Sequence, residues 1–415
     1  MIRFLIVSIL LFSNIYAISL DEVKHQLHKI INSLNSSTKA GILIIDPLTQ
    51  DTIYQLNPAV SRIPASNTKL FTTATALNLL GGDFPIATKI FSDDLNIKDG
   101  IVNGNLFLKG YGNPEFSSGD LEKMVNELKA KNIKLITGNI VGDDTYFDDI
   151  YSRDDWIKNE VANVKLPPIS ALVLDRNRRI VQTKRGRRIR RSTQYINDPP
   201  LYAAQILKEK LEEAGIKVNG TNTKGSTPEN LSVLSEKKIL LRDLIALINK
   251  HSDNFYAEVL FKTIGAAASG QQGNSFFSTQ AVLNFIEDNA IFKEGTSVVD
   301  GSGISRFNQI TAGAIVGILE KMYFDLKNYD DFYNSLSIAG IDGTLRHRMS
   351  GTPAENNMRG KTGTLNGVSS LSGYVTALNG EDVVVSIIFE YDRGSANYYR
   401  SIQDKIVETV AGWDE

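Results

Sequence analysis

The sequence predicts an α+β protein in which an antiparallel sheet flanked by helices is split by a large, mainly β inserted domain. Strand-like segments occur near the start of the chain, at residues 40–46 and 52–56, and again near its end, at residues 371–378 and 383–391. Segments with helical periodicity follow the first pair and precede the second. We expect the four strands to join in one sheet, which places both ends of the chain in the same domain.

The composition changes near Lys89, where short β-like runs begin to alternate with turns rich in Gly, Asn and Asp. A chain of 415 residues is also long for a single core, which favours two or more lobes. We therefore predict one domain formed by residues 18–88 and 237–415, with residues 89–236 inserted into it.

Periodic apolar residues predict the helices. The first is opened by Ser19 and Glu22, which have the spacing of a capping box, and is expected to end near Leu34. A second begins at Ser66 and is ended by Gly81. Further helices are predicted at residues 121–129, 201–214, 241–250, 254–262, 278–288, 311–323 and 396–410.

Net charge and cysteine content exclude several classes of protein. The net charge of -2 gives no overall attraction to nucleic acid. The absence of cysteine from the sequence excludes disulfides, thiol catalysis and cysteine-ligated metal. Among the four histidines, His25 and His28 have a spacing that suits a metal, but no third ligand lies near them. We expect neither a metal nor a cofactor.

The first 17 residues have the pattern of a secretory signal peptide. Arg3 precedes an apolar run at residues 4–12, and the small residue Ala17 marks the expected cleavage point. The run is short for a membrane-spanning helix, and an uncleaved anchor or a buried strand is the alternative. Export from the cytoplasm disfavours a nucleic-acid partner.

Ser66 and Lys69 are three residues apart in the predicted helix, which places both side chains on one face. Pro64 favours an extended approach to that helix. A serine hydroxyl becomes a nucleophile when a neighbouring base takes its proton, and a lysine is such a base only if burial or a second cation keeps it neutral. The same spacing occurs twice elsewhere, in segments that we interpret as solvated surface, so it is weak evidence alone.

A second motif contains Ser252 and Asn254, which lie at or just before a predicted helix. A hydroxyl and an amide two residues apart can face the same cleft there. Ser252 is suited to relay a proton, and Asn254 is suited to bind a substrate carbonyl and to hold Lys69 in place. Capping of the helix is the alternative role for this segment.

A third motif begins a predicted strand with four residues that suit an anion, Lys361, Thr362, Gly363 and Thr364. The lysine supplies a cation, which also disfavours protonation of Lys69. The threonines supply hydroxyls that suit a carboxylate, and the glycine lets a ligand approach the backbone closely. The backbone amides of the second threonine and of Ser66 are candidates to stabilise a tetrahedral oxyanion.

In this order, the three motifs resemble those of the serine D,D-peptidases and β-lactamases, the penicillin-recognising enzymes. The flanking residues make the chain similar to the class C low-molecular-mass penicillin-binding proteins, which are D-alanyl-D-alanine carboxypeptidases and endopeptidases of the penicillin-binding protein 4 type. The likeness spans nearly the whole mature chain. It rests on PASNTK at residues 64–69, HSDN at 251–254, DGSGISR at 300–306, AGIDGTL at 339–345 and GKTGTL at 360–365.

The resemblance implies a serine β-lactamase/D,D-peptidase-like domain and a periplasmic enzyme that acts on peptidoglycan stem peptides. It implies that Ser66 attacks the D-Ala-D-Ala bond and that β-lactams acylate the same residue. Arg306 matches a family arginine that contacts the stem peptide, and Asp155 and Glu160 are candidates to bind its side-chain amine. The insertion looks shorter than the family commonly carries, so a nested subdomain is expected to be reduced or absent.

Two other functions stay open at this point. One is a β-lactamase, for which no motif assigns the base of an efficient deacylating water. The other is a non-catalytic wall-binding protein, which would not need Lys69. A basic run from Arg176 to Arg191 also has two interpretations. It either binds an anionic membrane or wall surface, or it is a solvated hairpin whose charges keep an exposed edge soluble.

Overall fold

The computed structural model describes residues 18–156, 166–185 and 188–415. The predicted signal peptide, Glu160 and Arg187 lie outside the described residues. The helices are α1 (Leu20–Asn32), α2 (Thr68–Leu80), α3 (Ser118–Ala130), α4 (Pro199–Glu213), α5 (Leu241–His251), α6 (Asn254–Ser269), α7 (Ser275–Asp288), α8 (Ala312–Tyr323), α9 (Tyr329–Ser335) and α10 (Ala396–Ala411).

The strands are β1 (Lys39–Ile45), β2 (Thr52–Leu56), β3 (Pro85–Ser92), β4 (Ile101–Val102), β5 (Leu106–Gly110), β6 (Leu135–Ile136), β7 (Ile140–Asp143), β8 (Arg178–Arg185), β9 (Arg188–Tyr195), β10 (Lys217–Val218), β11 (Asn222–Lys224), β12 (Ser232–Leu240), β13 (Ser337–Ile338), β14 (Arg359–Leu365), β15 (Val368–Thr376) and β16 (Asp382–Glu390).

Six strands form one sheet in the order β13-β14-β15-β16-β1-β2, and every neighbouring pair in it is antiparallel. The early hairpin therefore joins the late strands, because Lys39 of β1 pairs with Glu390 of β16. Near the two ends of the described chain, Ile18 forms a β-bridge with Trp413. The predicted α+β fold, with an antiparallel sheet between helices, is confirmed.

Strand β16 shows how both faces of this sheet are covered. Side chains alternate between the faces of a strand. Val385 and Ile387 pack with α1 and α10 on one face, whereas Val384 and Ile388 pack with α2, α5 and α8 on the other. All four side chains are fully buried. Two helical layers thus hold the sheet, and with it β14, in a fixed position.

Residues 85–240 contribute a second, five-stranded sheet in the order β11-β7-β5-β3-β12, and a three-stranded sheet in the order β10-β6-β4. Helices α3 and α4 pack on these strands through residues that include Leu121 and Leu207. The chain enters this region through β3 and leaves it through β12, which are antiparallel neighbours. Such an arrangement fits an insertion, and the bounds of the inserted domain at residues 89 and 236 stay a prediction.

The basic run forms a hairpin in which β8 pairs with β9. The basic side chains described as exposed in these strands are Arg178, Arg179, Lys184, Arg190 and Arg191. Two apolar side chains, Ile180 and Ile189, are 70% and 63% exposed. The hairpin therefore presents both charge and apolar surface to its surroundings.

Within the described ranges, every helix is too short or too polar to span a lipid bilayer. The same residues contain no group of three or more His, Asp or Glu side chains that could hold a metal ion.

Candidate active site

The predicted nucleophile lies in a tight turn before a helix. Arg62 forms a β-bridge with Ile310, whereas Pro64 has φ -78° and ψ -17°, which is helical, so the extended approach ends before the proline. Ser66 lies in the 3-10 turn Ala65–Asn67, and α2 begins after it. Ala65 has φ 50°, in the left-handed region that costs a residue with a Cβ atom about 1–2 kcal/mol. The backbone is thus strained one residue before the hydroxyl.

Lys69 is fully buried in the first turn of α2, and its amine has three acceptors. The Nζ atom lies 3.0 Å from Ser66 Oγ, 2.7 Å from Asn254 Oδ1 and 2.6 Å from the carbonyl oxygen of Ser302. A charged amine donates three protons, whereas a neutral amine has two protons and a lone pair. In the neutral form, the two N–H groups donate hydrogen bonds to the amide and carbonyl oxygens, and the lone pair is available to the hydroxyl proton of Ser66.

Burial lowers the pKa of Lys69 to about 8, because the uncharged amine is favoured where water is excluded. The negative charges of Asp300, Glu258 and Asp253 act in the opposite direction and limit this shift. Burial, rather than the predicted cation at Lys361, is therefore the main reason that the amine loses its proton readily.

Two buried carboxyl groups hold the loop that supplies the carbonyl of Ser302. Glu258 accepts a hydrogen bond from the Ser302 amide at 2.8 Å. Asp300 accepts hydrogen bonds from the amides of Gly303 and Ser305 at 2.7 and 2.8 Å. Burial raises the pKa of both groups. Neither carboxyl group was predicted as part of the site, although Asp300 opens one of the segments that carry the resemblance.

Ser252 lies between α5 and α6 with φ 54°, in the left-handed region. Asp253, rather than Ser252, caps the start of α6 by accepting a hydrogen bond from the Tyr256 amide at 3.0 Å. Asn254 is the first residue of that helix. The hydroxyl of Ser252 accepts a hydrogen bond from Lys361 Nζ at 2.9 Å, so the second and third motifs are in direct contact.

Lys361 is fully buried in β14, and its amine also donates to the carbonyl oxygen of Thr362 at 2.8 Å. Burial lowers the pKa of Lys361 well below its ordinary range, and the positive charge of Lys69 lowers it further. Two amines thus compete for protons in one buried cluster. An anion that contacts Lys361 would raise its pKa again, because an opposite charge favours the protonated form.

Gly363 is buried and brings β14 against the turn that carries Ser66. A Cβ atom at this position would lie 2.2 Å from Ser370 Oγ, 2.8 Å from the Pro64 carbonyl oxygen and 2.9 Å from the Ser66 nitrogen. The sequence predicted that glycine here lets a ligand approach the backbone closely. In the structure, the turn that contains Ser66 makes this close approach instead. As a result, the two segments that carry the amides of Ser66 and Thr364 touch each other.

The two threonines of the third motif line the cleft, and each has a polar neighbour that the sequence did not predict. Thr362 Oγ1 lies 2.8 Å from Thr344 Oγ1. Thr364 Oγ1 accepts a hydrogen bond from Arg400 Nη2 at 3.1 Å. Thr344 belongs to the segment AGIDGTL, whereas Arg400 lies in α10, where no sequence pattern marked it as part of a site.

The cleft has two lobes that meet at Ser66, Asn254 and Thr364, since these residues line both. The Thr362 lobe has a volume of about 660 Å³, and its other lining residues include Ser252, Thr344, Arg346, Thr362 and Arg400. The Tyr391 lobe has a volume of about 390 Å³, and its other lining residues include Ile304, Leu365, Asn366, Gly367 and Tyr391.

Arg306 lines a cavity that adjoins the Tyr391 lobe and shares Asn366, Gly367 and Tyr391 with it. Its Nη2 atom donates to the carbonyl oxygen of Asn366 at 2.6 Å. The structure therefore places Arg306 beyond the far end of that lobe, separate from the cluster around Lys69.

Asp155 is held within the protein. It accepts hydrogen bonds from Arg153 at 2.9 and 3.0 Å and from Ser305 Oγ at 2.7 Å. Burial acts to raise the pKa of Asp155, but the bonds from Arg153 and Ser305 bring it below its ordinary value. These contacts do not favour the predicted contact with a substrate amine.

Arg176, the first residue of the predicted basic run, contacts the second motif. Its Nη1 atom lies 2.8 Å from Asp253 Oδ2, and its guanidinium carbon lies 4.4 Å from the centre of the Tyr256 ring. Arg176 therefore braces the segment that carries Ser252 and Asn254, and differs from the exposed arginines of the hairpin.

Comparisons with known proteins identify the family of the chain. The D-Ala-D-Ala carboxypeptidase 3 (S13) family matches residues 23–193 and 186–412 of the chain. A D-alanyl-D-alanine carboxypeptidase from Actinomadura sp. (strain R39) is 28% identical over 441 residues, which cover 90% of this chain and 81% of the relative.

Solved structures show the same fold. Penicillin-binding protein 4 (dacB) from Haemophilus influenzae matches with a TM-score of 0.77 and 23% identity, over 94% of this chain and 98% of that chain. Its complex with a β-lactam matches with a TM-score of 0.72 and 23% identity, over 92% and 98% of the two chains. The resemblance to class C low-molecular-mass penicillin-binding proteins is confirmed. The chain belongs to the D-Ala-D-Ala carboxypeptidase 3 (S13) family and is a serine D,D-peptidase.

Proposed function

We propose that the protein hydrolyses D-Ala-D-Ala peptide bonds of peptidoglycan stem peptides through an acyl-enzyme on Ser66. The observation that carries this proposal is the 3.0 Å separation of Lys69 Nζ and Ser66 Oγ inside a buried cluster. The neutral amine takes the hydroxyl proton as Ser66 Oγ attacks the carbonyl carbon of the penultimate D-Ala.

The amides of Ser66 and Thr364 are the proposed donors to the oxyanion that forms in this step. Their role is supported by the contact of β14 with the Ser66 turn at Gly363. Backbone amides held by a sheet and a tight turn need little rearrangement when the charge develops, which is why such donors lower a barrier effectively.

Ser252 is the proposed proton relay to the leaving amine. Its hydroxyl is held by Lys361 at 2.9 Å and lines the Thr362 lobe. A proton passed through Ser252 reaches the nitrogen as the C–N bond breaks, and D-Ala leaves as a neutral amine. Asn254 is proposed to hold Lys69 and to bind the substrate carbonyl next to it.

The terminal carboxylate of the substrate is proposed to bind Lys361, Thr362 and Thr364. Thr362 and Thr364 line the Thr362 lobe beside the relay, and Lys361 lies beneath it, bonded to Ser252. That lobe is therefore proposed as the leaving-group side of the cleft. The Tyr391 lobe then takes the acyl portion of the stem peptide, with Arg306 at its far end. Water completes the cycle by hydrolysing the ester on Ser66.

A β-lactam presents a strained amide and a carboxylate in the same relation, so we propose that it acylates Ser66. The related penicillin-binding protein 4 has been solved with a β-lactam, which supports this proposal. We also propose that the first 17 residues are a cleaved signal peptide and that the mature enzyme is periplasmic. A wall location brings the cleft to its substrate.

Product analysis on purified muropeptides tests the proposed function. Release of D-Ala from pentapeptides demonstrates carboxypeptidase activity, and loss of cross-linked dimers demonstrates endopeptidase activity. We expect at least one of these, and we expect Ser66→Ala to abolish it while the protein stays folded. Turnover of penicillin without turnover of peptides would favour a β-lactamase. Peptide binding without any turnover would favour a wall-binding protein.

A further inference from the structure

The Thr362 lobe has a cationic wall that the reaction described above does not use. Arg400 projects from α10, and Arg346 lies on the same lobe after the segment AGIDGTL. Arg348 also lines the lobe, but its charge is offset by Asp404 at 2.7 Å. The wall therefore keeps a net positive charge beside the proposed carboxylate site.

Arg400 is held against that carboxylate site by two hydrogen bonds. Its Nη2 atom donates to Thr364 Oγ1 at 3.1 Å, and its Nη1 atom donates to Asn397 Oδ1 at 3.2 Å. A hydroxyl that accepts a hydrogen bond from a guanidinium can donate its own proton in a hydrogen bond to another acceptor. Arg400 thus directs the Thr364 hydroxyl to donate into the lobe, and adds its own charge close by.

Because Lys361 is buried, Arg400 is the more accessible cation for a substrate carboxylate. Lys361 lies beneath the lobe, and its amine is already bonded to Ser252 and to a backbone carbonyl. Arg400 is partly exposed, and a guanidinium carries a positive charge and N–H groups in a fork that suits a carboxylate. A permanent cation at the lobe wall attracts an anion before the buried amine has to be protonated.

The size of the lobe extends the argument to the rest of the leaving group. A cavity of about 660 Å³ is in the range that holds drug-sized ligands, so a single D-Ala leaves room in it. Arg346 is exposed at its wall and is available to a second carboxylate.

On the basis of the proposed function, we propose that Arg400 is a specificity-determining residue that binds the carboxylate of the leaving residue, and that Arg346 extends this site to leaving groups with a second carboxylate. The substrate class is thus a peptide whose leaving group is a D-amino acid with a free carboxylate, preferably one that bears a further acidic group.

Matched pairs of peptides with the same acyl portion test this proposal. The first pair ends in D-Ala-D-Ala as the free acid or the amide, and the second ends in D-Ala-D-Glu or D-Ala-D-Gln. For each pair the ratio of kcat/KM values measures the preference for one additional negative charge. Lys405→Gln is the control. Lys405 is exposed on α10, so this substitution removes one positive charge outside the lobe.

We expect Arg400→Gln to reduce the acid-over-amide preference by about 10-fold or more, as for the loss of a charge-assisted hydrogen bond. Arg400→Lys should retain part of that preference. Arg346→Gln should leave the first ratio unchanged and reduce the D-Glu preference by about two- to fivefold, as for an exposed ion pair. Lys405→Gln should change neither ratio.

Wild-type ratios in Arg400→Gln, with an unchanged melting temperature, would overturn the role of Arg400. An unchanged D-Glu preference in Arg346→Gln would overturn the extension of the site. Failure of the proposed function has a different signature, because peptide turnover would then be absent from the wild-type enzyme or would persist in Ser66→Ala. Peptide turnover that depends on Ser66 but ignores the leaving-group carboxylate would contradict the inference alone.

Discussion

Lys69 Nζ lies 2.7 Å from Asn254 Oδ1, and this contact joins residues that are 185 positions apart in the chain. It links the start of α2 to the start of α6, two helices that pack together in the same core. The amide oxygen can only accept hydrogen bonds, so it binds one N–H group of the amine. The lone pair of a neutral Lys69 is therefore left for Ser66.

Replacement of Lys69 by arginine is expected to lower acylation of Ser66 by orders of magnitude. A guanidinium stays protonated, so it cannot accept the hydroxyl proton. The measurement is the rate of adduct formation by intact-mass spectrometry. Lys29→Arg, an exposed change in α1, is the control and should acylate normally. Near-normal acylation in Lys69→Arg would eliminate Lys69 as the base.

Acylation is expected to rise with pH up to about 8 and then to level off. The pKa of Lys69 is lowered to about 8, so the neutral, active form gains about tenfold per pH unit below that value and is nearly complete above it. Measurements of kcat/KM from pH 6 to 9, with stability checked at each pH, give the profile. A flat profile over this range would contradict a base that titrates near pH 8.

Gly363→Ala is expected to destabilise the fold by about 1–3 kcal/mol and to slow acylation, as overpacking does in a buried site. The added Cβ atom would press on Ser370 Oγ at 2.2 Å and on the Ser66 nitrogen at 2.9 Å. Thermal unfolding and penicillin acylation are the two measurements. Gly119→Ala, in α3 with its nearest atom at 3.7 Å, is the matched control and should have neither effect. A Gly363→Ala variant with the wild-type melting temperature and acylation rate would contradict this expectation and show that the turn shifts to accommodate the Cβ atom.

Penicillin is expected to leave a persistent adduct on Ser66. Ring opening keeps the leaving amine tethered to the acyl group, where it obstructs water. Intact-mass spectrometry should show one penicilloyl group, peptide mapping should place it on the segment with Ser66, and Ser66→Ala should lack it. Rapid turnover of penicillin with no accumulated adduct would contradict this expectation and indicate a β-lactamase.

Removal of four exposed arginines, Arg178, Arg179, Arg190 and Arg191, is expected to release the protein from anionic vesicles. Each basic residue near such a surface contributes about 1 kcal/mol. The test is co-sedimentation with phosphatidylglycerol vesicles at increasing salt, against neutral vesicles. A control that changes four exposed lysines elsewhere, Lys24, Lys29, Lys129 and Lys405, should still bind. Equal binding by both variants would leave the hairpin a solvated surface element.

Local patterns determined much of this protein from the sequence alone. The apolar run of β16 and the cap at Ser19 depend on neighbours within a few positions, and the structure has both the strand and the cap. The spacing of Ser66 and Lys69 is equally local, and their side chains meet at 3.0 Å. The order of the three motifs indicated the penicillin-recognising enzymes, and the residues that flank the motifs narrowed the resemblance to the class C proteins.

Tertiary structure alone decided the pKa values and the long-range contacts of the site. The pKa of Lys69 depends on burial by several segments, and the Ser302 carbonyl reaches its amine from 233 positions away. Arg176 was counted with an exposed basic run, yet it pairs with Asp253. Arg400 reaches Thr364 only because α10 packs against the sheet that contains β14. Desolvation and contacts between distant segments arise from packing, and no local pattern of residues encodes them.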